Sequence, residues 1–191
     1  MQHIMLDLET MDTKPTAAIA AIGAVAFDLT TGTLGRQFYQ RVDLESSQNN
    51  GGTIGADTVK WWLRQSAEAR SEIATDDAVH IRQALGELGC FILRNSPHPN
   101  AFIWAKGTDF DIPIITSAMN RIDLMPTWKF WNARDVRTLE HAARDAGIDL
   151  RTAVPFEGER HNALHDAIHQ AKTAIHIWQQ LIAPPRQSQQ P

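Results

Sequence analysis

An apolar run over residues 19–28, with Ala, Ile and Val crowded around Gly23, leads into Thr30-Thr31-Gly32-Thr33 and then a second strand-like stretch over 35–42. Two such runs joined by a glycine-containing turn predict a β-hairpin. Ahead of them, residues 3–8 form a short apolar run ending in acids, consistent with a buried strand. Residues 46–52 are polar and glycine-rich and read as a loop. Asp57 or Thr58 can cap a helix carrying Val59, Trp62 and Leu63, and Asp76 or Asp77 can cap another running towards Leu93. Residues 101–105 predict an interior strand ended by Gly107. Thr108 or Asp109 then caps a helix that tolerates Pro113 in its first turn. Residues 128–131 are a short aromatic strand candidate, and 137–146 and 161–182 predict the last two helices. A hairpin-led start followed by strands alternating with helices predicts a mixed α/β sheet of about five strands, covered by helices on both faces.

The chain has 191 residues, of which 43% are hydrophobic and 21% charged, as expected of a globular domain with a substantial core. One domain is expected over 1–183, with a disordered tail over 184–191 rich in Pro, Gln and Ser. No window approaches the length of a membrane span, and no basic segment followed by an apolar stretch suggests a signal peptide. Cys90 is the single cysteine, which excludes an internal disulfide and a cysteine-rich zinc site and suits a reducing cytoplasm. The net charge of −4 argues against a high-affinity duplex binder with a long basic track.

Three segments carry candidate chemistry. In Asp7-Leu8-Glu9, residues two apart on a strand face the same way, so both carboxylates project together. Two like charges that close repel unless a cation or proton lies between them. Asp111 falls in the first turn of a helix, where a carboxylate also suits the helix dipole. His161 and Asp166 stand five apart at a helix start, so both reach one cleft if His161 lies in the preceding loop. Each segment alone has a bland reading, as a solvated strand end, a helix cap and a polar helix start. Together, Asp7, Glu9, Asp111 and Asp166 supply hard oxygen ligands suited to Mg²⁺ or Mn²⁺, with His161 beside the last of them as a base. Such a set is what two-metal phosphodiester chemistry requires. No G-x-S-x-G elbow or phosphate-binding P-loop offers a rival chemistry.

These residues resemble the DEDDh exonucleases, the DnaQ-like and RNase T-like clan with a ribonuclease H-like fold. Asp7-Leu8-Glu9-Thr10 looks like the first motif, Gly107-Thr-Asp-Phe-Asp111 the second, and His161-x-Ala163-x-x-Asp166 the third. A narrower similarity runs through Thr58-Val-Lys-Trp61-Trp62, Gln65-Ser-Ala-Glu-Ala-Arg70, Phe130-Trp131-Asn132-Ala-Arg134-Asp135 and 161–166, towards the exonuclease A group of T-even phages and the prophage exonuclease VIII group. Met11 and Asp12 replace the threonine and glycine common after the first motif, which puts local backbone contacts to the terminal nucleotide in doubt. The resemblance implies a phage or prophage enzyme that removes nucleoside 5′-monophosphates from 3′ ends of single-stranded nucleic acid, with two Mg²⁺ or Mn²⁺ ions and His161 as general base. It favours DNA over RNA, with an RNase T-like exoribonuclease as the alternative and a non-catalytic binding module behind both. Thr10, Met11 and Trp62 are candidate substrate contacts, although Met11 and both tryptophans at 61 and 62 have an equal reading as packing residues. Trp128 and Trp131 read as core. Arg134, Asp135 and Arg137 form either a buried ion pair that orients the site or a plain helix start. A homodimer is compatible with the resemblance, and no surface stripe demands one.

Overall fold

The computed structural model describes residues 1–96 and 100–182; the expected tail over 184–191 lies outside them. A five-stranded sheet has the order β3-β2-β1-β4-β5. Its strands are β1 (His3–Thr10), β2 (Ile19–Phe27), β3 (Leu34–Arg41), β4 (Phe102–Ala105) and β5 (Ala133–Asp135). The pairs β1–β2 and β2–β3 are antiparallel, whereas β1–β4 and β4–β5 are parallel. The mixed sheet and its leading hairpin follow the expectation. The helices are α1 (Leu44–Asn49), α2 (Ala56–Trp62), α3 (Ala67–Ile73), α4 (Ile81–Asn95), α5 (Asp111–Arg121), α6 (Val136–Asp145), α7 (Leu150–Ala153) and α8 (Ala163–Ile177). A π-helical turn, Trp178–Ile182, continues α8.

Alternation along β1 sends its side chains to two cores. Ile4, Leu6 and Leu8 pack with Leu85, Leu88 and Ile92 of α4 and Ile114, Ile115 and Met119 of α5. Met5 faces the other way, with Val25 and Phe27, onto Val136 of α6 and Ala167, Ala171 and Ala174 of α8. The sheet is therefore covered on both faces, as α/β burial requires. No described helix is long and apolar enough to cross a membrane.

Several local expectations are corrected. Residues 46–52 are not all loop, because α1 occupies their first half. Its serines are buried: Ser47 Oγ accepts from the Ile19 N–H and Ser46 Oγ from the Ile81 N–H. Polar side chains here satisfy strand and helix ends, a use that composition does not distinguish from a loop. Helix α4 starts after His80, whose Nδ1 accepts from the Arg82 N–H, rather than at Asp76 or Asp77. Val79 is instead held extended by a bridge to Val42. The caps of α2 and α5 are Gly55 and Phe110, neither with a side-chain cap. The aromatic strand expected over 128–131 is a 3₁₀ turn, Phe130–Asn132, leading into β5. Trp128 is buried, but Trp131 is 61% exposed and not core.

Candidate active site

The site forms where β1 and β4 part. Their pairing ends at Met5 opposite Trp104, so the backbone of β1 beyond that point needs another partner. Asp111, the first residue of α5, supplies it: its Oδ1 accepts from the Leu8 N–H at 3.1 Å. That bond pulls a buried carboxylate against the strand that carries Asp7 and Glu9.

From the opposite face comes α8. Gly23 of β2 lies directly across from Asp7 in the sheet. A Cβ at position 23 would stand 2.1 Å from the carbonyl carbon of Ala163, so glycine alone lets the start of α8 touch the sheet. Ala163, Ala167, Ala171 and Ala174 continue that close approach along the helix. Asn162 caps it, its Oδ1 accepting from the N–H groups of Leu164 and His165. His161 lies in the preceding turn, as expected, with a left-handed backbone at φ 64°. Its N–H donates to Asp166 Oδ2 at 2.8 Å. This backbone sign is uncommon outside glycine and fixes where the imidazole points. The ring meets Trp61 edge-on at 4.8 Å between centroids.

Glu9, His161 and Asp166 offer ligand atoms that all lie within 4.8 Å of one another. Asp7 and Asp111 share the same electrostatic environment. Burial, then the charges of Asp111, Glu9 and Asp166, push the Asp7 carboxyl well above the usual range. Burial, then Asp166 and Asp111, push Glu9 up to about 8. Burial raises Asp111 to about 7 against the opposing hydrogen bond from Leu8. Asp166 is raised by burial, offset in part by the His161 N–H. In all four carboxyls burial, joined at Asp7 and Glu9 by mutual repulsion, outweighs the nearby groups that favour the charged form, and an all-oxygen donor set is what a hard divalent cation prefers. The residues present fit such an ion.

Gln170, one helical turn after Asp166, was not picked out in the sequence. Its Nε2 donates to Asp7 Oδ1 at 2.7 Å. The i, i+4 spacing from Asp166 was the available signal. Of the two readings of Arg134, Asp135 and Arg137, an ion pair or a plain helix start, the structure shows the helix start, with Asp135 as the cap of α6. Its carboxylate also accepts from the Gly107 N–H at 2.9 Å, so it fixes the turn that leads to Asp111. Arg134 donates to the carbonyls of Trp131 and Ala133, and Arg137 to that of Lys106. Among the described residues no ion pair joins the three.

Beside Glu9 opens a cavity of about 430 Å³ lined by Leu8, Thr10, Trp61, Trp62 and Phe110, among others. Trp62 is 3% exposed and donates its indole N–H to the Thr10 carbonyl, whereas Trp61 is 41% exposed. Met11 is buried against Ala18, Trp62 and Ala69. Asp12 accepts from Thr53 Oγ1 at 2.7 Å and so ties the loop after β1 to the start of α2. Thr10 Oγ1 donates to the Asp12 carbonyl. His165 accepts from the Glu159 N–H and anchors the approach to His161.

Known proteins resemble the chain in sequence and in fold. The chain is 28% identical over 160 residues to the exodeoxyribonuclease of Enterobacteria phage T4, covering 72% of this chain and 70% of the phage protein. Its fold is similar to the nuclease domain of 3'hExo, a DEDDh family member bound to rAMP, with a TM-score of 0.64, 11% identity, and 94% and 92% of the two chains covered. It is also similar to E. coli exonuclease I in complex with a dA16 oligonucleotide, with a TM-score of 0.67, 16% identity, 93% of this chain and 40% of that one. Residues 2–178 match the 3'-5' exoribonuclease Rv2179c-like domain, and the chain belongs to that family, a metal-using DEDDh-type 3′–5′ exonuclease domain acting on nucleic acids.

Proposed function

We propose that the chain hydrolyses single-stranded DNA from its 3′ end and releases nucleoside 5′-monophosphates, with two Mg²⁺ or Mn²⁺ ions held by Asp7, Glu9, Asp111 and Asp166. The observation that carries this reading is the gathering of these four carboxylates from three distant segments, with His161 at their rim. Bound there, the ions would supply Lewis-acid polarisation of the phosphate, a water of lowered pKa and charge stabilisation at the leaving 3′-oxygen. His161 takes the proton of the attacking water on its imidazole, a contribution of typically ~10²–10⁴ in rate. Gln170 holds Asp7 in place through its amide. The terminal nucleoside enters the cavity beside Glu9, where Trp61 presents an exposed ring for its base. Thr10 and Trp62 line the cavity, and Met11 acts from behind it by packing with Trp62.

DNA is favoured by the phage relative named as an exodeoxyribonuclease. The family description, an exoribonuclease, favours a second reading in which the same site cuts RNA. Matched DNA and RNA strands labelled at the 5′ end, incubated with Mg²⁺ or Mn²⁺, decide between them. A ladder of shortening labelled products, absent with Asp7→Ala and with chelator, is expected, and faster on DNA. Faster digestion of RNA would replace DNA as the substrate. Tight binding with no digestion of either would leave a binding module.

A further inference from the structure

A second cavity, unlike the aromatic one in its lining, approaches the carboxylates through His169. It is a cleft of about 930 Å³ between α6, the segment that follows it and α8. Its charged lining is Lys106, Arg144, Arg151 and Arg160 against Glu140 and Asp149, four cations facing two acids in a chain of net charge −4. Both acids are engaged. Glu140 pairs with Lys106 at 2.7 Å, and the Asp149 carboxylate accepts from the Arg151 N–H and Thr152 Oγ1 at the start of α7. Among the described residues, Arg144, Arg151 and Arg160 belong to no ion pair. Four cations against two acids leave the lining with an excess of positive charge, which draws anions.

The cleft neighbours the reacting centre through one residue. His169, which lines it, lies three residues beyond Asp166 on α8 and within electrostatic reach of that carboxylate. Its Nδ1 is buried with no hydrogen-bond partner among the described residues. Phe156 closes the join, its ring 5.1 Å from that of His169 and 4.7 Å from the Arg160 guanidinium. A single strand offers a base at its terminus and a continuous anionic backbone behind it. The linings of the two cavities, one aromatic and one cationic, match those two chemistries.

We propose that this cleft is a second subsite, which takes the sugar–phosphate backbone of the substrate strand on the 5′ side of the bond being cut. It deepens the exonuclease reading and rests on it. Guanidinium groups suit phosphate oxygens by bidentate hydrogen bonding and do so without regard to base sequence.

The test compares wild type with the double variant Arg144→Ala/Arg151→Ala, both changes at exposed positions. Each protein is given a strand of about ten nucleotides and the p-nitrophenyl ester of thymidine 5′-monophosphate, which has one phosphodiester and nothing beyond it to reach the cleft. On the strand, kcat/KM is expected to fall about tenfold, mostly through KM, and its dependence on log salt to become shallower by ~1.4, two contacts at ~0.7 each. Turnover of the small ester stays within about twofold. Equal loss on both substrates would mean a disturbed fold, and no loss on the strand would mean a solvated surface; either overturns the proposal. Weakened inhibition by added nucleoside monophosphate with an unchanged strand KM would make the cleft a mononucleotide site and also overturns it. A wild-type protein that cuts neither substrate defeats the exonuclease reading instead. Strand binding in chelator by the two proteins then decides the cleft separately, equal affinities counting against it.

Discussion

Glu9 is buried beside Asp166 and Asp111, and it keeps its proton to about pH 8 in the fold against an ordinary value of 4.5. Between those values the folded chain binds more protons than the unfolded one, so the stability of the metal-free protein falls as pH rises. The contribution is intact below pH 4.5 and lost as pH passes 8. Glu9→Gln removes that ionisation without changing shape. In chelator the variant is expected to melt close to wild type near pH 5 and above it at pH 8, by at least ~1 kcal/mol or roughly 2–4 °C in Tm. A variant that melts lower than wild type at pH 8 would show that Glu9 is held as a carboxylate by some partner. His161 poses a different question, because its left-handed backbone must be kept while its imidazole is removed. Asparagine tolerates that conformation. His161→Asn is expected to lower kcat by ~10²–10⁴ with little change in KM. An unchanged kcat would give the proton to another group.

At the scale of elements, the site depends on how closely α8 lies on the sheet. Gly23→Ala places a methyl against the backbone of Ala163, where no side chain can yield. Overpacking of this kind costs about 1–3 kcal/mol, and the displaced helix carries Asp166 and Gln170 away from Asp7. The variant is expected to melt lower and to lose activity together. Gly86→Ala, in a helix position where nothing lies within 4 Å, serves as the control and is expected to stabilise by ~0.4–1 kcal/mol. Equal melting of the two variants would remove Gly23 from the account. Here the limits of sequence reading are visible. β1, β2, β3 and α6 follow from periodicity and turn chemistry to within a residue or two, since their signals are local. α1 was hidden because its serines serve distant N–H groups, and α3 and β5 are short elements held in place by neighbours. The three motif segments carry the carboxylates in an order that a motif can display. The i, i+4 spacing from Asp166 puts Gln170 on the right face of α8, but its bond to Asp7, the Asp135 turn and the closeness of Gly23 to Ala163 are relations between segments, which no local pattern encodes.

On the scale of the molecule, its two cores fasten α5 to one face of the sheet and α8 to the other, and each delivers a carboxylate to the gap beyond the end of the β1–β4 pairing. The fold thus concentrates negative charge at one point, and that repulsion is relieved by protons or by divalent cations, which compete. Acid-bound protons must leave before a cation can enter, so cation affinity rises with pH through the range near 7 and 8 where Asp111 and Glu9 titrate. At a Mn²⁺ concentration ~100-fold above Kd, binding to the folded state alone stabilises by ~2.7 kcal/mol, roughly 5–10 °C for a chain of this size. The Mn²⁺-dependent rise in Tm is therefore expected to be large at pH 8, small at pH 6 and lost in Asp7→Asn at both. Differential scanning measurements with and without chelator read it directly. A rise of equal size at both pH values that survives Asp7→Asn would mean that the ion binds elsewhere, and that the buried carboxylates are held by protons alone.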